Sequence, residues 1–302
     1  MACYNESQDV INLTDYLIKA QAFHKTIRIY AASTTNLVET AREIHDTWPA
    51  ATAAFGRTLT ATLIMGALLK EDQDITVQID GNGPIGKIIA LSNAHGEVKG
   101  VLTNPHVHQS KSEGKLDVGG VVGRNGFLRI TKDLKVRDFF TSSVELQTGE
   151  IGDDFSYYFV KSEQIPSAVA LGVLVDTDGS VKAAGGVIVQ AMPGATDDTL
   201  KTIEARIQEL PPISSLIHSG TSPEKIVQMI AGTDVLIYPP LPLFYRCNCR
   251  RERFEAGLIS LGKAELNELI DKSEAIETVC QFCKKKFDFS VSDLQTLLEK
   301  SS

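Results

Sequence analysis

The strongest constraint on this chain is a group of four cysteines near its C-terminal end. Cys247 and Cys249 form a Cys-x-Cys pair, and after a spacer of 30 residues Cys280 and Cys283 form a Cys-x-x-Cys pair. Two close pairs of thiolates from separate segments can supply the four tetrahedral ligands that zinc prefers. Paired spacing on both sides of the spacer argues against four unrelated buried thiols. The pattern predicts one zinc ion per chain, held by these four side chains.

Basic residues flank both cysteine pairs. Four thiolates on one Zn²⁺ carry a net charge of −2, which nearby cations would offset, and the same cations would lower the thiol pKa values once the metal leaves. A solvated basic face explains the same residues equally well, so both interpretations stay open. The flanking residues are Arg246, Arg250, Arg251, Arg253, Lys284, Lys285 and Lys286.

The first residues and the apolar segments bear on the compartment. The opening residues MACYNESQDV have no basic segment followed by an apolar one, as a secretory signal would. The apolar stretch 50–69 contains Arg57, and its uninterrupted part is too short to span a bilayer. We therefore expect a cytoplasmic protein with reduced thiols, where clustered cysteines indicate metal or redox chemistry rather than a disulfide framework.

Charge is unevenly distributed along the chain. The 302 residues carry 30 Lys and Arg against 38 Asp and Glu, a formal net charge of −8. Residues 246–302 contain 10 basic and 10 acidic side chains, so the whole excess of negative charge lies in the first 245 residues. A chain with this balance is not expected to bind nucleic acid through its overall field.

The patterns predict an α+β fold in three regions: an N-terminal α+β domain over 1–190, a helical linker over 191–245, and a small C-terminal four-Cys zinc domain over 246–302. In the first region, alternating β-branched segments and turn signals predict strands and one hairpin, and two apolar segments predict helices. The predicted strands are 26–31, 75–79, 85–91, 98–102, 170–175 and 181–189; the helices are 35–48, stopped by Pro49, and 50–69. The Gly-rich segment 112–126 is predicted to be a loop.

The linker region is predicted to hold two helices with few packing partners. One helix ends at Pro211-Pro212, and a second begins at Ser222-Pro223 and ends at Gly232. The prolines of the segment YPPLPL, 238–243, require an extended backbone. In the last region we predict helices over 251–261 and 263–271, a hairpin that carries the second cysteine pair, and a final helix after 292. A unit of this size is expected to need a metal for stability.

Other motifs are weaker candidates for a functional site. The sequence Gly81-Asn-Gly-Pro-Ile-Gly86 spells G-x-G-x-x-G, but a strand-like segment follows it, so a hairpin turn is favoured over a dinucleotide site. His106 and His108 could share one strand face and bind a metal, but no acidic residue or cysteine is adjacent, so surface histidines are the preferred interpretation. Ser142 and Ser143 lack the context of a nucleophile, and Cys3 is expected to be a mobile N-terminal thiol. No catalytic residue is predicted.

With the cysteine pattern in place, the chain resembles the bacterial family of redox-regulated 33 kDa chaperonins, which are heat-shock holdases. The resemblance covers the whole length, and the four cysteine positions match without departure; Cys3 has no counterpart. It implies that the reduced, zinc-bound form is inactive. It further implies that oxidation forms two disulfides, releases zinc, loosens the linker and yields a homodimer that binds unfolded or partly unfolded proteins under oxidative and heat stress.

We also predict which disulfides form, and two alternative functions of the chain stay open. Because a very short loop closes more readily than one of 30 residues, we predict a Cys247–Cys249 and a Cys280–Cys283 disulfide after zinc loss. A zinc-containing adaptor is the first alternative function. A thiol oxidoreductase is the second, although its Cys-x-x-Cys would need the start of a helix after a strand, and Cys280 is predicted in a hairpin.

Overall fold

A computed structural model of the chain describes residues 14–70, 72–136, 138–272 and 275–300. Cys3 therefore lies outside the described residues. The chain divides into two compact units, Met1–Tyr245 and Arg246–Ser302. Strands and helices are both abundant, and the predicted α+β class is confirmed.

The larger unit contains twelve strands and seven α-helices among its described residues. The strands are β1 (Tyr16–Ala22), β2 (Ile27–Ser33), β3 (Asp74–Asp80), β4 (Lys87–Asn93), β5 (Glu97–Leu102), β6 (Phe127–Asp133), β7 (Phe140–Glu145), β8 (Ser167–Val175), β9 (Val181–Ala191), β10 (Val235–Ile237), β11 (Leu241–Pro242) and β12 (Phe244–Tyr245). The helices are α1 (Thr35–His45), α2 (Pro49–Gly66), α3 (Val118–Val122), α4 (Gly152–Tyr158), which a π-helical segment (Phe159–Glu163) continues, α5 (Asp197–Glu209), α6 (Ile213–His218) and α7 (Pro223–Ala231).

The strands form two six-stranded sheets. Sheet A has the order β10-β1-β2-β9-β8, with β11 also paired to β1, and sheet B has the order β12-β5-β4-β3-β6-β7. Neighbouring strands are antiparallel except for β12, which pairs in parallel with β5. In β3 and β4 every second residue is buried, as expected when one face of a sheet covers a core.

Helix α2 lies between the two sheets and contacts strands of both. All of its 18 residues except Pro49 and Arg57 are buried, as expected for a helix that is apolar on every side. The hydroxyl of Thr62 donates a hydrogen bond to the carbonyl of Thr58, which keeps that polar group satisfied within the core. The guanidinium of Arg57 donates to the carboxylate of Glu150 at 2.9 Å. Burial on all sides explains why this segment is almost free of charge.

Helices α5, α6 and α7 cover the other face of sheet A. Ile203, Ile213 and Ile226 are buried in one apolar cluster with side chains of β1, β2 and β9. The expectation that this segment has few packing partners is therefore wrong. The spacing of its apolar residues predicts an amphipathic helix, but the spacing does not identify the surface that the helix covers.

Two local expectations also need correction. Pro49 does not stop the first helix; α1 ends at His45, and Pro49 is the first residue of α2, where its missing N–H costs no hydrogen bond. The Gly-rich segment 112–126 contains the short helix α3, and the carboxylate of Asp117 caps its N-terminus by accepting a hydrogen bond from the N–H of Gly120.

Over residues 246–272 and 275–300, the smaller unit combines one hairpin with three helices. Its elements are α8 (Arg251–Ile259), α9 (Lys263–Asp271), β13 (Ile276–Val279), β14 (Lys286–Phe289) and α10 (Val291–Lys300). Six buried side chains form its core: Leu258, Leu266, Phe287, Phe289, Leu294 and Leu297. A core of this size supplies little stability alone, which agrees with the expectation that this unit needs a bound metal for stability.

Candidate metal centre

The two cysteine pairs lie in two different kinds of backbone. Cys247 and Cys249 belong to the irregular segment that precedes α8, and Cys280 and Cys283 belong to the turn between β13 and β14. The turn is closed by two backbone hydrogen bonds, from the N–H of Cys280 to the carbonyl of Lys285 at 2.9 Å and from the N–H of Lys284 to the carbonyl of Cys280 at 2.8 Å. The predicted hairpin around the second pair is confirmed.

The fold brings all four sulfur atoms together. They lie within 4.8 Å of one another, and among the described residues this is the one group of three or more His, Cys, Asp or Glu side chains that could hold a metal ion. The Sγ atoms of Cys247 and Cys280 are 3.7 Å apart, and those of Cys249 and Cys283 are 3.4 Å apart. Each of these two contacts joins one cysteine of the first pair to one of the second.

These distances suit a tetrahedral metal ion. With metal–sulfur bonds of about 2.3 Å, the edge of a tetrahedron is about 3.8 Å. The two Sγ–Sγ separations are close to that edge and far longer than a disulfide bond, which is about 2.05 Å. Cys280 is buried and the other three are partly exposed, so the centre lies at the surface of the smaller unit. The four sulfurs can hold a metal ion.

The surroundings separate the acidities of the thiols. Burial raises the pKa of Cys247, and burial together with hydrogen bonding to the thiols of Cys283 and Cys280 raises the pKa of Cys249 to about 12. Burial opposes ionisation of Cys280 too, but hydrogen bonds with the backbone N–H groups of Cys283 and Phe282 and with the thiols of Cys283 and Cys247 together lower the pKa of Cys280 to about 7. Cys280 is therefore the readiest of these three to become a thiolate near neutral pH.

Arg251, Lys285 and Lys286, three of the flanking basic residues, contact other residues of the smaller unit. The guanidinium of Arg251 lies 4.2 Å from the centre of the Phe289 ring and donates to the carbonyl of Asp288 at 2.7 Å. The ammonium of Lys285 lies 5.3 Å from the centre of the Phe287 ring. Lys286 pairs with the carboxylate of Glu277 at 2.9 Å. The side chains of Arg250, Arg253 and Lys284 are exposed.

The weaker sequence motifs do not join this site. Gly81–Gly86 lies in the turn between β3 and β4, which confirms the predicted hairpin. His106 and His108 are exposed and lie outside the strands; the Nε2 atom of His106 is 2.8 Å from a carboxylate oxygen of Asp46. The hydroxyl of Ser142 is 3.0 Å from the hydroxyl of Tyr158.

Tyr245, two residues before the first cysteine, makes polar contacts that the sequence does not predict. The hydroxyl of Tyr245 donates to the carbonyl of Gly100 at 3.0 Å. The Nε2 atom of His45 lies 3.1 Å from the hydroxyl oxygen of Tyr245. His45 and Tyr245 are separated by 200 residues, and neither belongs to a recognisable motif. No sequence signal indicates this pairing.

Comparisons with known proteins cover nearly the whole chain. The family described as Hsp33 protein matches residues 15–290. The 33 kDa chaperonin of Geobacillus kaustophilus is 49% identical over 285 residues, covering 94% of this chain and 97% of that protein. The 33 kDa chaperonin of Bacillus subtilis is 47% identical over 289 residues, covering 95% of this chain and 99% of that protein.

A solved structure has the same fold. The crystal structure of the 33 kDa chaperonin of Thermotoga maritima, a heat shock protein 33 homolog, is 35% identical and superposes with a TM-score of 0.87, covering 95% of this chain and 98% of the other. Among the described residues, no helix has the length and apolarity needed to cross a membrane.

Proposed function

The chain belongs to the Hsp33 family of chaperones, and from this premise we propose that its four-cysteine centre binds one zinc ion and acts as a redox switch. The observation that carries the proposal is the convergence of four sulfurs, from segments 30 residues apart in sequence, within 4.8 Å of one another. When bound, zinc would supply the constraint that the small core of this unit lacks. The reduced, zinc-bound chain is inactive in this proposal.

Oxidation would form two disulfides in two steps, one for each pair of cysteines. Each pair of thiolates loses two electrons to one molecule of hydrogen peroxide, which takes up two protons from the solvent, so that one disulfide and two molecules of water form. The proposed bonds join Cys247 to Cys249 and Cys280 to Cys283, because the shortest loops close at the lowest entropic cost. Removal of the thiolates from the centre releases the metal, and the smaller unit loses its main constraint.

The release would be transmitted along the chain to residues 191–245. This segment precedes the smaller unit directly, and its helices α5 to α7 are short, so they depend on packing against sheet A. We propose that oxidation together with heat loosens this linker, exposes apolar surface to unfolded or partly unfolded proteins, and allows a homodimer to form. In this proposal the protein acts in the cytoplasm and binds unfolded proteins without catalysing a reaction.

The metal and thiol content of the full-length protein tests the switch. Protein purified under reductant is expected to contain one zinc ion per chain and, with Cys3 included, five titratable thiols. After peroxide treatment the zinc should be released, one thiol should remain, and peptide mapping should find the two short-loop disulfides. A zinc content near zero in the reduced protein, or a majority of disulfides that join the first pair to the second, would contradict the proposal.

A further inference from the structure

Residues 241–245, here called the strap, lie along strand edges of both sheets of the larger unit. The first two residues of the strap pair antiparallel with Tyr16 and Leu17 of β1. Its last two pair in parallel with Glu97 and Val98 of β5. The final residue of the strap is also the last residue of the larger unit. The strap therefore closes one strand edge in each sheet and is the covalent path to the cysteine centre.

Backbone hydrogen bonds and one side chain hold the middle of the strap. The N–H of Leu243 donates to the carbonyl of Asp15 at 3.1 Å, and the N–H of Phe244 donates to the carbonyl of Gly96 at 2.9 Å. The side chain of Leu243 is 4% exposed and belongs to the main core. Gly96 has a φ of +77°, and a Cβ there would collide with the carbonyl oxygen of Pro242. The strap is therefore held by backbone hydrogen bonds, by the buried side chain of Leu243 and by the close approach of its backbone to Gly96.

Tyr245 fastens the end of the strap. Its hydroxyl donates to the carbonyl of Gly100 and lies 3.1 Å from the Nε2 atom of His45. His45 is 5% exposed, and its ring lies edge-on to Phe55 at 5.3 Å. Because Gly100 belongs to β5 and His45 ends α1, Tyr245 ties the strap to two elements of the core.

From this geometry we propose that the strap occupies a docking site for an extended apolar segment of an unfolding protein. When the strap leaves, residues 16–17 of β1 and 97–98 of β5 lose their neighbouring strand, and their unpaired N–H and C=O groups become templates for another strand. Residues 20–22 of β1 pair separately with β10. Strand addition obtains affinity from main-chain hydrogen bonds and specificity from pockets for alternate side chains. The strap itself shows both features, since its backbone pairs with β1 and β5 and Leu243 fills the pocket between these contacts.

The strap also explains how the site stays closed. A covalently attached segment has an effective concentration in the millimolar range, so it excludes a free segment of similar affinity. In the proposed function, on which this inference rests, oxidation and heat loosen residues 191–245, and the strap belongs to that segment. Loss of the strap then opens the two edges and the Leu243 pocket together.

A photo-crosslinking peptide tests the docking site in the full-length protein. The peptide spans residues 239–246, with a benzophenone in place of the side chain of Phe244, and a matched peptide carries Leu243→Asp. The first peptide is expected to bind oxidised, heated protein, to form crosslinks near residues 15–17 and 96–100, and to inhibit capture of unfolding citrate synthase. The matched peptide should bind at least about tenfold more weakly, because a charged side chain cannot be buried in the pocket.

A strap variant separates this inference from the redox switch. In the reduced protein, Leu243→Asp in the chain itself should free the strap and admit the Leu-containing peptide, whereas the reduced wild type should exclude it. Tyr245→Phe, which keeps the ring and removes only the hydroxyl, serves as a second and milder variant if Leu243→Asp does not fold. Binding to the reduced variants but not to the oxidised wild type would support the docking site and contradict release by oxidation.

Two results would overturn the docking site. One is a set of crosslinks that lies mainly outside the edges of β1 and β5. The other is equal binding of the Leu243→Asp peptide and the parent peptide, which would show that the pocket has no part in recognition.

Discussion

Each cysteine of the centre contributes one of four sulfurs, so loss of one should remove a large share of metal affinity. The apparent free energy of structural zinc sites, about 10–16 kcal/mol for all ligands together, makes one ligand worth roughly a hundredfold in affinity. We expect Cys247→Ser to lower zinc affinity by about that factor in a competition titration with a chromophoric chelator. Cys3→Ser is the matched control and should leave the affinity unchanged; an equal loss in both variants would contradict the assignment.

Arg251 has several contacts within the smaller unit and is not a ligand of the centre. Its guanidinium stacks on Phe289, donates to the carbonyl of Asp288 and lies 3.1 Å from the carboxylate of Asp293. Arg251→Gln should lower the unfolding free energy of the smaller unit by about 1–2 kcal/mol through loss of these contacts. Amide exchange over residues 286–300 should then be roughly 5–30 times faster in the reduced protein.

The exposed neighbour Arg253 provides the control for this prediction. Arg253→Gln should change amide exchange over the same residues little, because isolated surface substitutions usually alter stability by less than about 0.5 kcal/mol. Equal acceleration in the two variants would show that the contacts of Arg251 do not stabilise this unit.

At the scale of elements, α7 is the helix whose packing can be varied most cleanly. Ile226 is fully buried against sheet A, whereas Met229 on the same helix is 36% exposed. Ile226→Ala should destabilise the packing of α7 by about 2–5 kcal/mol and lower the temperature at which the oxidised protein begins to bind clients. Met229→Ala should shift that onset much less; a similar shift in both variants would contradict control by helix packing.

The sequence predicts most elements of this chain but few of their partners. The hairpin β8–β9 and the helix α2 follow from alternating and continuous apolar patterns, and the four cysteines follow from paired spacing. The segment 238–243 is correctly expected to be extended, yet three prolines say nothing about pairing with β1. Propensity and spacing are local, whereas the contacts of the strap join residues more than 140 positions apart.

The contact between His45 and Tyr245 illustrates the same limit at the level of side chains. A lone histidine at the end of a helix and a tyrosine after a proline-rich segment have no local signal for each other. Their contact depends on the positions of α1 and β5, which the packing of both sheets on α2 determines. By contrast, the metal-binding chemistry of four paired cysteines limits their possible partners so strongly that their spacing alone predicts that they lie together.

For the whole molecule, metal removal should affect the two compact units differently. The smaller unit has six buried apolar side chains in its core, whereas the larger unit has two extended clusters around its sheets. A chelator under reducing conditions should therefore cause fast amide exchange throughout residues 246–300 while β3 and β4 stay protected. Retention of protection in α8, α9 and α10 after complete loss of metal would show that the small core is sufficient.

The most direct test of the redox-gated chaperone is an aggregation assay with chemically unfolded citrate synthase, measured by light scattering. Samples of one preparation are taken along a peroxide titration at elevated temperature, and the zinc released is measured in each sample. We expect suppression of aggregation to be absent in the reduced, zinc-bound protein, to rise in proportion to zinc release, and to disappear when reductant and zinc are restored. Equal suppression by the reduced, zinc-bound protein, or zinc release without any gain in suppression, would contradict this expectation.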